Sequence, residues 1–293
     1  VLTPIDIVPV QNTLGEGIVW DGRRAWWTDI QEKRLFRYDP AKRALETFDL
    51  PERLGSFGLT EGDERIVTAF ESGFAFYQPH DGALAWIARP PHDAAKVRFN
   101  DGRVDRQGRF WAGSMVEGGG APSGKLYRLD ADGRYEICVT KVAISNSLCF
   151  SPDGHVLYFA DTPRRQIWRY RLDPVSGALS ERSVFAETPP GAFPDGANVD
   201  SEGCVWSAHW GAGQIVRYDP RGRIERTIAL PVTQPTCVAF GGDKLDHLFV
   251  TTARENLDKA AIKQQPLAGA LFVFAVGVAG LPEPRFRPRP GTA

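Results

Sequence analysis

Phe193-Pro194-Asp195-Gly196-Ala197-Asn198-Val199-Asp200-Ser201-Glu202-Gly203-Cys204-Val205-Trp206 sets one acidic residue, Asp195, five positions ahead of a turn, Asp200 to Gly203. An apolar strand then opens at Cys204. The layout recurs along the chain. Glu16 stands five before Asp21-Gly22, Asn100 five before Asp105, and Asn146 five before Ser151-Pro152-Asp153-Gly154. Two weaker copies place Ser56 before Glu61-Gly62 and Pro235 before Phe240-Gly241-Gly242. The six anchors are spaced by 40, 44, 46, 49 and 40 residues, a length that suits a four-stranded propeller blade. Four of the six carry carboxylate or amide oxygens, which points to a polar centre where the repeats converge.

Between the anchors the chain reads as short alternating runs bounded by turn residues, with no competing helical period. Arg34-Leu35-Phe36-Arg37-Tyr38-Asp39 is echoed by Lys125 to Asp130, Gln166 to Asp173 and Gln214 to Asp219. In each, apolar residues alternate with Arg or another polar residue, and an Asp opens the next turn. Only three good strands follow Pro235, and the connection from Ala253 to Pro266 has room for a helical turn around Leu257 to Ile262. A strand near Ile5 to Val10 is expected to supply the missing fourth and close the ring. The expected fold is therefore an all-β, six-bladed β-propeller of four-stranded antiparallel blades, one domain over residues 1–293.

The totals exclude several classes. Thirty-five basic residues balance 36 acidic ones, which favours neither a nucleic-acid nor an acidic-membrane partner. No apolar run is long enough to span a membrane, and the first residues lack a basic segment followed by a long apolar one. A soluble, cytoplasmic monomer is the expectation. The four cysteines, at 138, 149, 204 and 237, form no Cys-x-x-Cys pair and read as reduced core residues.

In a propeller the innermost strands line a central channel, so loops at one end gather residues from every blade. Glu16, Asn146 and Asp195 each begin a predicted innermost strand. Two carboxylates and an amide form an all-oxygen set that suits a hard divalent cation. Gly-Glu-Gly and Pro-Asp-Gly are also ordinary turn sequences, and the shared repeat phase is what favours the ligand reading. Arg98 and Asn100, just before the third inner strand, have the donors and acceptors to hold a carbonyl or hydroxyl. His209 ends the second strand of the fifth repeat at the Asp195 end, where a structural role is the simpler reading. Glu117 to Gly124 is a glycine-rich insertion that is either a long connection or a loop reaching a ligand. Gly-x-Ser-x-Gly, dinucleotide and phosphate-loop motifs are all absent.

The chain resembles the gluconolactonase and regucalcin (senescence marker protein) family of metal-dependent sugar lactonases. The matching stretches are Leu14-Gly15-Glu16-Gly17, Arg98-Phe99-Asn100-Asp101-Gly102, Trp111-Ala112-Gly113-Ser114-Met115, Asn146 to Gly154, and Phe193-Pro194-Asp195-Gly196, in order over nearly the whole chain. The resemblance implies a six-bladed propeller with one divalent metal ion (calcium, zinc, manganese, magnesium or ferrous iron) held by Glu16, Asn146 and Asp195. It implies a sugar-lactone substrate contacted by Arg98 and Asn100, and by Glu117 as an acidic contact found in some members. A lactone is a cyclic ester, so Asp195 is the candidate general base toward an attacking water. Two alternatives stay open: a non-catalytic, calcium-binding or scaffold propeller, and an esterase of the same architecture with a more apolar channel mouth. Trp210, Phe57 and Phe193 keep the latter open.

Overall fold

The first, third and fifth repeats each turn where an acidic side chain folds back on its own loop. Asp200 Oδ1 accepts from the amides of Glu202 and Cys204 at 2.9 and 3.0 Å, while its Oδ2 takes the Trp206 indole N–H at 2.8 Å. Asp105 does the same with Gln107, Arg109 and Trp111, and Asp21 with Arg23, Arg24 and Trp26. These Asx turns reverse the chain at a fixed distance from each anchor. The indole bond then ties the turn to a core tryptophan.

The computed structural model describes residues 2–92, 96–119 and 121–292. A first strand, β1 (Asp6–Val8), precedes blade one, which holds β2 (Gly15–Trp20), β3 (Ala25–Asp29), β4 (Arg34–Asp39) and β5 (Ala44–Asp49). Blade two holds β6 (Leu54–Leu59), β7 (Ile66–Phe70), β8 (Gly73–Tyr77) and β9 (Leu84–Ala88). Blade three holds β10 (Val97–Val104), β11 (Phe110–Val116), β12 (Gly124–Leu129) and β13 (Tyr135–Val142). Blade four holds β14 (Ser145–Phe150), β15 (Val156–Asp161), β16 (Gln166–Leu172) and β17 (Leu179–Glu187). Blade five holds β18 (Phe193–Val199), β19 (Val205–Trp210), β20 (Gln214–Tyr218) and β21 (Ile224–Ala229). Blade six is β22 (Pro235–Gly241), β23 (His247–Thr252) and β24 (Leu271–Ala275), completed by β1.

The six sheets of four strands bear out the expected propeller, and the ring closes through β1 on β24 with Ile7 opposite Phe272. The first strands of neighbouring blades contact one another around the ring, from β2 through β22 and back to β2. Burial falls from this inner ring to the rim. Every residue of β2, β6, β10, β14 and β22 is buried, whereas the outermost β5 and β21 are mostly exposed. Apolar clusters fill the spaces between adjacent blades, as where Phe57 of β6 packs with Val19, Leu35 and Tyr77. Phe57 is thus a core residue, not part of a channel mouth. All four cysteines are free thiols, and Cys149, Cys204 and Cys237 are buried.

Two connections depart from the repeat. The segment after β23 carries a short helix, α1 (Lys259–Gln264), slightly later than expected, with Asp258 accepting from the Ala261 amide at its N-cap. The C-terminal segment, 276–292, crosses the end of the channel opposite the anchors. It bonds the turns of blades two, three, five and six through Phe286, Arg287, Ala279 and Gly280. Glu283 from this strap meets the buried Arg103 of β10 at 2.8 Å. Among the described residues no helix is long and apolar enough to cross a membrane.

Candidate active site

The anchors sit where each innermost strand pair slips register. The shift falls after Glu16 in β2, before Ser56 in β6, across Asn100 in β10, after Asn146 in β14, across Asp195 in β18 and after Pro235 in β22. A bulge of this kind breaks the alternation of side chains and re-aims one of them. In blades one, three, four and five it turns Glu16, Asn100, Asn146 and Asp195 toward the channel head. Gly17, at φ 61°, supplies the left-handed residue that the blade-one bulge needs. At Gly55 a Cβ would lie 2.5 Å from the Phe99 carbonyl carbon, so a glycine there lets β10 pack close against β6 beside Asn100.

Second strands fix where two of these inner strands begin. Asp29, at the end of β3, accepts from the Thr13 and Leu14 amides at 2.7 and 3.0 Å, just ahead of Glu16. Asp161, at the end of β15, accepts from the Ala143 and Ile144 amides at 3.1 and 3.0 Å, just ahead of Asn146. His209 holds the corresponding place in blade five, opposite Pro194. It is fully buried between the Tyr218 hydroxyl at 3.1 Å and Gln214 at 3.3 Å, and burial lowers its pKa to about 4. It does not line the cavity, which agrees with the structural reading.

A cavity of about 300 Å³ opens at this end of the channel. Its polar wall is made by Glu16, Arg98, Asn100, Asn146, Thr162, Asp195 and Glu255, and its apolar wall includes Leu14, Met115, Ile144, Phe193 and Trp210. Of the metal- and substrate-contact residues expected from sequence, Glu117 is missing from the lining, as is Phe57 of the expected apolar mouth. Glu117 stands behind Arg98, accepting from Arg98 Nε at 3.0 Å and from both terminal nitrogens of Arg53 at 2.8 Å. Gly120, in the glycine-rich insertion, lies outside the described residues.

A chain of hydrogen bonds crosses three blades along the polar wall. Arg98 Nη1 donates to Asn100 Oδ1 at 2.7 Å, and Asn100 Nδ2 donates to Asn146 Oδ1 at 3.0 Å and to the Ser145 carbonyl at 2.8 Å. Asn146 Nδ2 donates in turn to Thr162 Oγ1 at 2.8 Å, whose hydroxyl donates to the Pro194 carbonyl at 2.9 Å. The amide of Asn146 is thereby held with its oxygen on the Asn100 side. Asn100 is occupied on both its oxygen and its nitrogen, so in this arrangement it orients Asn146. Thr162 and Glu255 were not read from the sequence. Thr162 follows the Asp161 clamp in a 3-10 turn, and Glu255 lies in the blade-six connection, so neither shares the anchor phase.

The Glu16 and Asp195 carboxyls lie close enough to act on one another, and Asp101 lies close enough for its charge to act on both. Burial, then the charge of Asp101, raises the Glu16 carboxyl to about 8. Burial, then the charges of Glu16 and Asp101, raises Asp195 well above the usual carboxylate range. Asp101 itself is pushed up to about 6 by burial, although it accepts from the Leu148 amide at 2.7 Å. Two buried carboxyls, with an oriented amide oxygen on the same cavity wall, form a donor set whose repulsion a divalent cation would relieve. The residues therefore fit such an ion. Among the described residues no group of three or more His, Cys, Asp and Glu side chains is placed to hold one; here the third donor is an amide.

The family described as SMP-30/Gluconolactonase/LRE-like region matches residues 14–254, and the chain belongs to it. A 6-deoxy-6-sulfogluconolactonase of Pseudomonas putida is 40% identical over 96% of this chain and 97% of its own. An L-arabinolactonase of Azospirillum brasilense is 36% identical, over 97% of this chain and 95% of its own. Among solved structures, the calcium-binding protein regucalcin of Agrobacterium tumefaciens superposes with a TM-score of 0.92 at 32% identity, covering 98% of both chains.

Proposed function

We propose that this protein is a sugar-lactone hydrolase that depends on one divalent metal ion held by Glu16, Asn146 and Asp195. The observation that carries this reading is the meeting of two buried carboxyls and an oriented amide oxygen at the head of a ring-closed channel. The names of the Pseudomonas and Azospirillum relatives support a lactone substrate, and the name of the Agrobacterium structure supports a metal such as calcium. A non-catalytic propeller has no need to keep Arg98, Asn100, Asn146 and Asp195 on one cavity wall.

When bound, the ion would supply Lewis acidity that polarises the lactone carbonyl. The chain's own residues do the rest. Arg98 is fixed by Glu117 and Asn100, which leaves its Nη2 to donate to the carbonyl or a ring hydroxyl of the substrate. The Asp195 carboxylate takes a proton from the attacking water as the oxygen adds to the carbonyl carbon. When the carbon–ring oxygen bond breaks, Asp195 returns a proton to the departing oxygen, giving the open hydroxy acid. The apolar wall excludes bulk water and offers Phe193 and Trp210 to the C–H face of a sugar ring. The test is proton release from a panel of five- and six-membered aldonolactones. Hydrolysis well above the spontaneous rate supports the reading, and none with any lactone in the presence of calcium, manganese, magnesium or zinc would refute it.

A further inference from the structure

Glu255 reaches the cavity from outside the repeat. It lies in the connection between β23 and α1, and its backbone is tied down on both sides: the Ala253 amide donates to the Gln234 carbonyl at 2.9 Å, and the Glu255 carbonyl accepts from Gln234 Nε2 at 3.1 Å. Its Oε1 accepts from Gln31 Nε2 at 2.6 Å. Among the described residues no cation makes an ion pair with it, and the charge of Arg98 acts on it from farther off. Glu255 is half-buried, whereas Glu16, Asn146 and Asp195 are only 4–6% exposed. It therefore marks the outer part of the cavity, and they mark its floor.

The charge of this outer part is unbalanced. Arg98 is the one cation on the cavity wall among the described residues, and its Nε and Nη1 are occupied by Glu117, the Phe99 carbonyl and Asn100. Arg53, the next guanidinium, is taken up by Glu71 and Glu117. A hydroxyl arriving at Glu255 finds a carboxylate oxygen to donate to. A sulfonate, phosphate or second carboxylate finds a like charge there, and the nearest guanidinium, Arg98, is already faced by the carboxylates of both Glu117 and Glu255; such a juxtaposition discriminates by repulsion.

We propose that Glu255 sets substrate selection: it accepts a hydrogen bond from the outer hydroxyl of a neutral aldonolactone and turns away lactones that carry an anionic group at that end. This rests on the lactonase reading. The experiment compares glucono-δ-lactone with its 6-phosphate on the wild type, Glu255→Gln and Glu255→Lys, after spontaneous hydrolysis is subtracted. The expected result is a wild-type kcat/KM at least about tenfold higher for the neutral lactone. Glu255→Gln should narrow that ratio by a similar factor, chiefly through a lower KM for the phosphate, and Glu255→Lys should invert it. A wild type that prefers the phosphate, or a ratio unmoved by Glu255→Gln in a variant with unchanged melting temperature, overturns the proposal while leaving lactone hydrolysis intact. Hydrolysis of neither lactone by the wild type would overturn both. If Glu255→Lys does not fold, Glu255→Gln, which can keep the Gln31 contact, decides alone.

Discussion

Glu16 of blade one and Asp195 of blade five meet at the channel head, where burial and the charge of Asp101 strengthen the hold of both on a proton and Glu16 strengthens that of Asp195 further. A pair arranged this way is poor as two free anions and good as a cation clamp. Its pH behaviour follows from linkage. In metal-free protein Glu16 titrates near 8 instead of 4.5, so across that window the folded state holds a proton the unfolded chain has released. Stability is then greatest below about pH 4.5 for this group and declines as pH rises toward about 8. Calorimetry in chelator should show the melting temperature of the wild type falling across this range relative to Glu16→Gln, with added divalent ion cancelling the fall. Parallel curves for the two proteins would show that Glu16 is not the group responsible.

Asp195 and Asn146 should separate when mutated. Asp195→Asn keeps the shape and one oxygen donor but removes the base, so turnover at saturating metal should fall by about 10²–10⁴-fold. Asn146→Ala should mainly weaken metal affinity, with much of the turnover recovered at high metal concentration. Near-normal turnover for Asp195→Asn would remove it from the role of base.

Arg53 touches no lining atom named above, yet it grips Glu117 through two bonds of 2.8 Å, and Glu117 holds Arg98. Arg53→Met should free Glu117 to swing and let Arg98 lose its fixed orientation. The expected signature is a KM raised by about tenfold with a smaller change in kcat, since substrate positioning is lost while Asp195 is untouched. A change confined to melting temperature would mean that the Arg53 pair is structural only.

At the other end of the channel, Arg103 and Glu283 are 5% and 8% exposed in their side chains. Removing one partner of such a pair leaves a buried charge, at a cost of about 3–5 kcal/mol. Glu283→Ala should lose stability of that order in urea denaturation while retaining lactonase turnover at low temperature. Arg103→Met combined with Glu283→Leu should recover most of the loss. If Glu283→Ala unfolds at the wild-type urea concentration, the strap is not anchored by this pair.

Much of the architecture was legible because each blade must repeat the same solution. In blades one, three and five the Asp of the turn bonds its own loop and a tryptophan a few residues on, so Asp21, Asp105 and Asp200 mark their blades in the sequence. Glu16, Asn100, Asn146 and Asp195 share a phase because each lies at a register slip in an innermost strand. What broke the repeat was not legible. Glu255 arrives on an insertion, Thr162 on a 3-10 turn, and the strap carrying Glu283 and Phe286 has no counterpart in any blade. Phe57 was misread because its neighbour Ser56 is in phase with the ligands. Strand alternation turns the next side chain into the space between blades, where Phe57 is 1% exposed. The contact of Glu117 with Arg53 joins residues of different blades, and no local pattern announces it.

The most direct measurement is turnover of an aldonolactone by chelated protein as one divalent ion is returned stepwise, with ion binding followed by calorimetry on the same samples. Activity that rises in proportion to a single bound equivalent, and binding that is lost in Glu16→Ala and Asp195→Ala, is the predicted result. Full turnover in the chelated protein, or a bound ion that survives both substitutions, would contradict it.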